Sequence, residues 1–264
     1  MNRVDAMFKR LKREKRCGLI AYVTCGDPDV DTTVRVVEEL ERAGADAIEL
    51  GVPFSDPIAD GPVIQAAAQR ALEGGTTLLD VFRAARAIRE KSQIPLIAFS
   101  YLNPLLRFGM ERFGKDGAAA GFDAVLLTDL LPEAAREIQR SLHHHGLGLV
   151  FLLAPTSSEK RITMIDRASD GFVYYVSTTG VTGTRSDLDP ALLGRLDEIR
   201  LRLRKPLAVG FGISKREHYD ALRERCACVV VGSAIVRAIA DGDPVGAPQR
   251  AGDVVRSIVY HSGQ

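Results

Sequence analysis

Short apolar runs alternate with longer segments of helical periodicity from one end of the chain to the other. The runs that read as strands are GLIAYVT (18–24), DAIEL (46–50), PLIAFS (95–100), DAVLLT (123–128), LGLVFLL (147–153), GFVYYVS (171–177), PLAVG (206–210) and CACVVVG (226–232). Most are continuously apolar rather than alternating, as parallel strands covered on both faces require. Between them apolar residues recur every three to four positions, as in 30–44, 78–91 and 131–146, and several such segments end in Gly or lead into Pro, the stop signals of helices. Eight strand–helix alternations in a chain of this length predict an α/β fold, a (β/α)8 TIM barrel forming one domain over residues 1–264. A doubly wound open sheet shares the alternation and is the second reading. Ahead of the first strand, Val4, Met7, Phe8 and Leu11 recur at helical spacing within a basic stretch, FKRLKREKR (8–16). They predict an extra N-terminal helix with one apolar face and one solvated basic face.

Composition narrows the class of partner. The 264 residues are 46% hydrophobic and carry a formal net charge of +1, which offers no global field for nucleic acid or an acidic membrane. No apolar run reaches membrane-spanning length, and no signal peptide is recognised. The four cysteines, Cys17, Cys25, Cys226 and Cys228, are too few for a disulfide scaffold and show no C-x-x-C spacing. Cys226 and Cys228 are expected to share a strand face as small buried hydrophobes. The expectation is a reduced, cytoplasmic globular protein without nucleic-acid or membrane partners.

In a barrel, chemistry belongs at the C-terminal ends of the strands. Alternation along DAIEL turns Ala47 and Glu49 inward and Ile48 and Leu50 toward the helices. A carboxyl group there has a raised pKa unless a cation sits beside it. A buried ion pair is the alternative, yet no Lys or Arg ends a neighbouring strand. Asp60 follows in a loop stiffened by Pro53, Pro57 and Pro62, just before the short helical pattern GPVIQAAAQRAL; its spacing suits a helix cap and a catalytic group equally. Asp56, in Ser-Asp-Pro, suits a turn.

Strands seven and eight run into GFGIS (210–214) and GSAIV (232–236). Paired glycine turns leading into helix starts, the second into a short helix, predict a phosphate cradle with Gly212, Gly232 and Ser233 as donors. The Gly/Thr-rich stretch 177–187 could close over a ligand. No lysine lies in a strand or at its C-terminal end, which argues against a Schiff-base mechanism. His143, His144 and His145 suit a helix C-terminus before Gly146, and with His218 and His261 elsewhere no metal triad forms at the barrel mouth; the triple His offers tag-like metal affinity only. What remains is acid–base chemistry by carboxylates on a phosphorylated small molecule.

The segments YVTCGDPD, ELGVPFSDPIADGPVIQ, YLNP, GVTG, GFGIS and VGSAIV, in this order, resemble the tryptophan synthase α-subunit family over essentially the whole chain. The resemblance implies a carbon–carbon lyase that cleaves indole-3-glycerol phosphate to indole and glyceraldehyde 3-phosphate by a retro-aldol reaction. It implies no cofactor in this chain, and an α2β2 complex in which indole passes to a pyridoxal-phosphate β subunit. By the same resemblance Glu49 is the acid–base carboxyl, Asp60 accepts from the indole N–H, Tyr174 belongs with them to the catalytic group beside the substrate, and Tyr22 flanks the indole. Thr182 and Gly183 belong to a lid, Gly183 joining Gly212, Gly232 and Ser233 at the phosphate, and Pro53, Asp56 and Asn103 match surfaces that meet the β subunit. The chain departs from the family's pattern at Leu131, where a proline is common, and in STTGVTG ahead of its Gly-Val-Thr-Gly core. A stand-alone lyase releasing free indole, a weakly catalytic allosteric binding subunit and a generic phosphate-binding barrel enzyme are the competing readings.

Overall fold

A computed structural model describes residues 2–176, 188–210 and 212–260. Its strands are β1 (Gly18–Thr24), β2 (Ala47–Gly51), β3 (Leu96–Ser100), β4 (Ala124–Leu127), β5 (Gly148–Val150), β6 (Leu152–Leu153), β7 (Val173–Val176), β8 (Leu207–Gly210) and β9 (Cys228–Val231). All pairings are parallel, in the order β5-β4-β3-β2-β1-β9-β8-β7-β6. β5 and β6 are two halves of one stave on either side of Phe151, so the two ends of the ladder meet within a single run of chain and the sheet closes. The expected fifth strand is therefore split: its first half pairs with β4 and its second with β7.

The helices are α1 (Arg3–Glu14), α2 (Val30–Arg42), α3 (Pro62–Glu73), α4 (Leu78–Arg89), α5 (Leu102–Phe108), α6 (Met110–Ala120), α7 (Arg136–His144), α8 (Glu159–Ala168), α9 (Pro190–Arg202), α10 (Arg216–Leu222), α11 (Ser233–Ala240) and α12 (Ala247–Val259). The helical pattern at 131–146 resolves into a 3₁₀ turn, Pro132–Ala134, followed by α7. Leu131 is extended, as a residue before proline prefers, and the turn closes with i to i+3 bonds before the α-helical bonding begins. No helix among the described residues is long and apolar enough to cross a membrane.

Period-two alternation divides the core. Ile20, Ala47, Ile97, Leu126, Val150, Tyr174, Ala208 and Val230 fill the barrel interior. Their neighbours Leu19, Ile48, Leu50, Val125, Val209 and Val229 pack against the helices. Cys228 faces the interior, whereas Cys226, ahead of the strand, packs against the outer layer with its Sγ 3.8 Å from that of Cys17. The two do not share a face, because β9 begins only at Cys228.

Helix α1 closes the N-terminal end of the barrel. Asn2 caps it by accepting from the Val4 N–H, and its apolar face of Val4, Met7, Phe8 and Leu11 joins the interior cluster. Phe8 and Phe172 meet with ring centroids 5.4 Å apart. At this end the buried carboxylates are fully partnered. Asp46 accepts from Arg10, Arg16 and the Leu19 N–H, and Asp123 from Arg3, Arg89 and the Leu96 N–H.

Candidate active site

Glu49 stands on the inner face of β2, opposite Tyr22 of β1 and Ile97 of β3. Its side chain is fully buried, and neither carboxyl oxygen has a hydrogen-bond partner among the described residues. No Lys or Arg is buried among those residues either, so the ion-pair alternative has no partner. Burial alone pushes the Glu49 pKa up to about 8. An uncompensated buried carboxyl group is costly and neutralises by holding its proton.

Asp60 does not cap α3: that helix starts with Gly61 at the cap position and Pro62 in its first turn, without a side-chain cap. The Asp60 carboxylate instead accepts from the Tyr101 hydroxyl at 3.0 Å, and that hydroxyl accepts from the Ala59 N–H at 2.8 Å. Phe54 packs on the Tyr101 ring, centroids 5.2 Å apart. One tyrosine at the end of β3 thus clamps the loop that carries Asp60. Burial raises the Asp60 pKa to about 6, with the Tyr101 bond pulling it down.

Tyr22 and Tyr174 complete the mouth. Tyr22 is edge-on to Phe99, with centroids 5.1 Å apart, and its hydroxyl lies 3.3 Å from Thr24 Oγ1. Both phenols hold their protons more tightly than usual, first through burial and then through the carboxyl groups: Asp60 and Glu49 for Tyr22, Glu49 and Asp60 for Tyr174. The two carboxyls and two phenols therefore share one electrostatic neighbourhood. Two glycines make room for the rings. A Cβ on Gly51 would lie 2.3 Å from the Tyr22 hydroxyl oxygen, and one on Gly210 would lie 2.3 Å from that of Tyr174.

Beside Tyr22, at the end of the neighbouring strand β9, Gly232 precedes α11, whose start at Ser233 has no side-chain cap. Its first N–H groups are suited to an anion. Gly212 has φ +44°, a left-handed conformation that favours glycine. The helix after it, α10, begins only at Arg216, and the Ser214 N–H faces His218 Nδ1 at 3.5 Å, so that second turn offers backbone rather than a helix start. Thr182 and Gly183 lie outside the described residues. Among the proposed partner-facing residues, Asp56 and Asn103 are exposed and Pro53 is buried, shaping the loop from within. Leu131 is 57% exposed; Ile58, in the loop after β2, and Leu106, on α5 after β3, are exposed too. Asp129 ties this region together by accepting from the Leu102 N–H at the start of α5.

Sequence reasoning did not single out Tyr101, Gly51 or Gly210. Gly51 and Gly210 were within reach, since period two places them inward at the ends of β2 and β8. Tyr101 was not, because its bond to Asp60 crosses 41 residues.

Comparison with known proteins decides the family. The model of the tryptophan synthase alpha chain family matches residues 8–258. A relative from Solibacter usitatus described as tryptophan synthase alpha chain is 55% identical over 239 residues, covering 90% of each chain. One from Geobacter sp. (strain M21), described in the same words, is 49% identical, covering 90% of this chain and 89% of its own.

The chain belongs to the tryptophan synthase alpha chain family.

Solved structures agree on the barrel. The alpha chain from Legionella pneumophila subsp. pneumophila superposes with a TM-score of 0.88 at 35% identity, over 98% of this chain and 96% of its own. A Pyrococcus furiosus chain, from work on mutual activation of the tryptophan synthase α2β2 complex, gives 0.88 at 38% identity over 92% and 97%. These tryptophan synthase alpha chains have the closed parallel barrel in which Glu49 and Asp60 stand here.

Proposed function

We propose that this chain, one barrel domain over residues 1–264, is a working tryptophan synthase α subunit. It cleaves indole-3-glycerol phosphate to indole and glyceraldehyde 3-phosphate and passes indole to a β subunit for tryptophan synthesis. The observation that carries the reading is the pair of carboxyl groups at the barrel mouth, one held near pKa 8 and the other near 6. Neutral pH lies between them, so Glu49 carries a proton while Asp60 is ionised. Asp60 accepts from the indole N–H and enriches C3 in electrons; Glu49 delivers its proton to C3. The carboxylate so formed takes the proton of the C3′ hydroxyl as the C3–C3′ bond breaks, leaving an aldehyde and indole and returning Glu49 to its starting state. Tyr22 and Tyr174 flank the indole, and Gly212, Gly232 and Ser233 receive the phosphate with Gly183. Both proton transfers fall to side chains of this chain, and pyridoxal phosphate is assigned to the β partner alone. The exposed Ile58, Leu106 and Leu131 around the mouth, with Asp56 and Asn103, form the docking face for that partner. Four free cysteines suit the cytoplasm.

Indole release from indole-3-glycerol phosphate, by this chain alone and then with a β subunit, tests the reading. Slow release that rises steeply with β is expected. Fast release indifferent to β makes the chain a stand-alone lyase. No release under either condition makes it a binding subunit and removes the role of Glu49.

A further inference from the structure

Outside the barrel, the end of α7 and the start of α6 bring together three metal-ligand side chains that the lyase reaction does not use. We propose that Glu111, His144 and His145 form a binding site for a divalent transition metal of the zinc class, completed by water. One donor atom from each lies within 4.8 Å of the other two. Bonds of about 2.0–2.2 Å to nitrogen and oxygen in a tetrahedral sphere set donors roughly 3.4 Å apart, so closing the site takes side-chain rotation rather than backbone movement.

The surroundings hold these groups in place. Glu111 approaches His145 Nε2 with one oxygen at 2.6 Å, and its other oxygen accepts from the Ser141 hydroxyl at 2.8 Å. The His145 ring lies over Gly114, where a Cβ would come within 2.6 Å of Cδ2; any larger residue there displaces the ring. His144 stands edge-on to His145, with centroids 4.9 Å apart. The third histidine of the run is engaged elsewhere, with His143 Nε2 at 2.7 Å from Asp170. Two imidazoles and one carboxylate favour zinc, nickel or cobalt over magnesium and calcium, which prefer all-oxygen ligands. Because the site joins two helices of the outer layer and none of the catalytic side chains, occupancy is expected to stiffen the fold and leave turnover unchanged.

The test is calorimetric titration of tag-free, metal-stripped full-length protein with zinc chloride, beside a melting scan with and without the metal. One equivalent should bind, and a hundredfold excess over the dissociation constant should raise the melting midpoint by about 5 °C. His144→Ala and Glu111→Gln should each weaken binding at least about tenfold. Gly114→Ala should do so as well, while His143→Ala should leave binding as it was and indole release should not change in any of them. Absence of saturable binding overturns the proposal. So does binding that survives His144→Ala and Glu111→Gln but disappears in Cys226→Ser, since the metal would then reside on the thiols near Cys17.

Discussion

Glu49 and Asp60 reach their protonation states by different routes. Nothing but burial acts on Glu49, whereas Asp60 is raised by burial and drawn back by Tyr101. In the proposed mechanism the productive form has the first protonated and the second ionised, so the pH profile of indole release should rise through about 6 and fall through about 8. Tyr101→Phe deletes the donor that lowers Asp60 and should move the acid limb upward while the alkaline limb stays in place. Glu49→Gln keeps the shape without the exchangeable proton and should cut kcat by about 10²–10⁴-fold or more, with substrate still bound in equilibrium measurements. The same substitution has a signature in stability. The folded pKa of Glu49 exceeds its unfolded value, so its contribution to folding is fully present below the unfolded pKa of 4.5 and is lost as pH rises through about 8. Glu49→Gln should therefore melt above the parent at about pH 8, the gap narrowing toward about pH 5. A gap that is constant across that range would mean the carboxyl is not desolvated.

At the scale of single elements, the strand ends are matched to one another through absent side chains. Gly51 and Gly210 leave space that the Tyr22 and Tyr174 hydroxyls enter. Gly210→Ala should cost about 1–3 kcal/mol in denaturant unfolding and raise KM, because Tyr174 must turn out of place. Adding Tyr174→Phe should recover part of the stability but not the KM; full additivity of the two changes would show that the ring and the glycine do not meet. Much of this arrangement was legible in the sequence. The apolar runs place the staves, alternation turns Glu49 inward, and glycines at 212 and 232 mark the turns that follow β8 and β9. Three things were not legible, each because it depends on distant parts of the chain. The break at Phe151 reflects two different ladder partners for one run of apolar residues, which look continuous in sequence. The clamp of Asp60 by Tyr101 joins separate loops. That Asp60 is not a helix cap is visible only in the geometry of α3, which opens on Gly61 and Pro62 without its help.

Over the whole molecule two pairs of carboxyl groups contrast, one at the strand starts and one among the candidate site residues at the mouth, while buried Asp27, after β1, is paired with Arg70. Those at the strand starts, Asp46 and Asp123, are each held by two arginines and a backbone N–H. Of the two at the mouth, Glu49 has no partner among the described residues and Asp60 has a phenol. Asp46→Ala should accordingly lower the melting point and leave kcat intact, since Arg10 and Arg16 would lose their counter-charge far from the substrate. A loss of turnover at unchanged stability would contradict that division. The helix at the closed end carries one more consequence, which concerns time. Among the described elements α1 is made before all others, yet its apolar face rests on Phe172, and β1 finds one of its two neighbours only in β9, at residues 228–231. While the intervening chain is still being made, an oily helix and an open strand edge are already in the cell. The order of synthesis and the order of contact run opposite ways, and among the described elements the nascent segment 3–24 waits longest for its last contacts, which is where a chaperone would act.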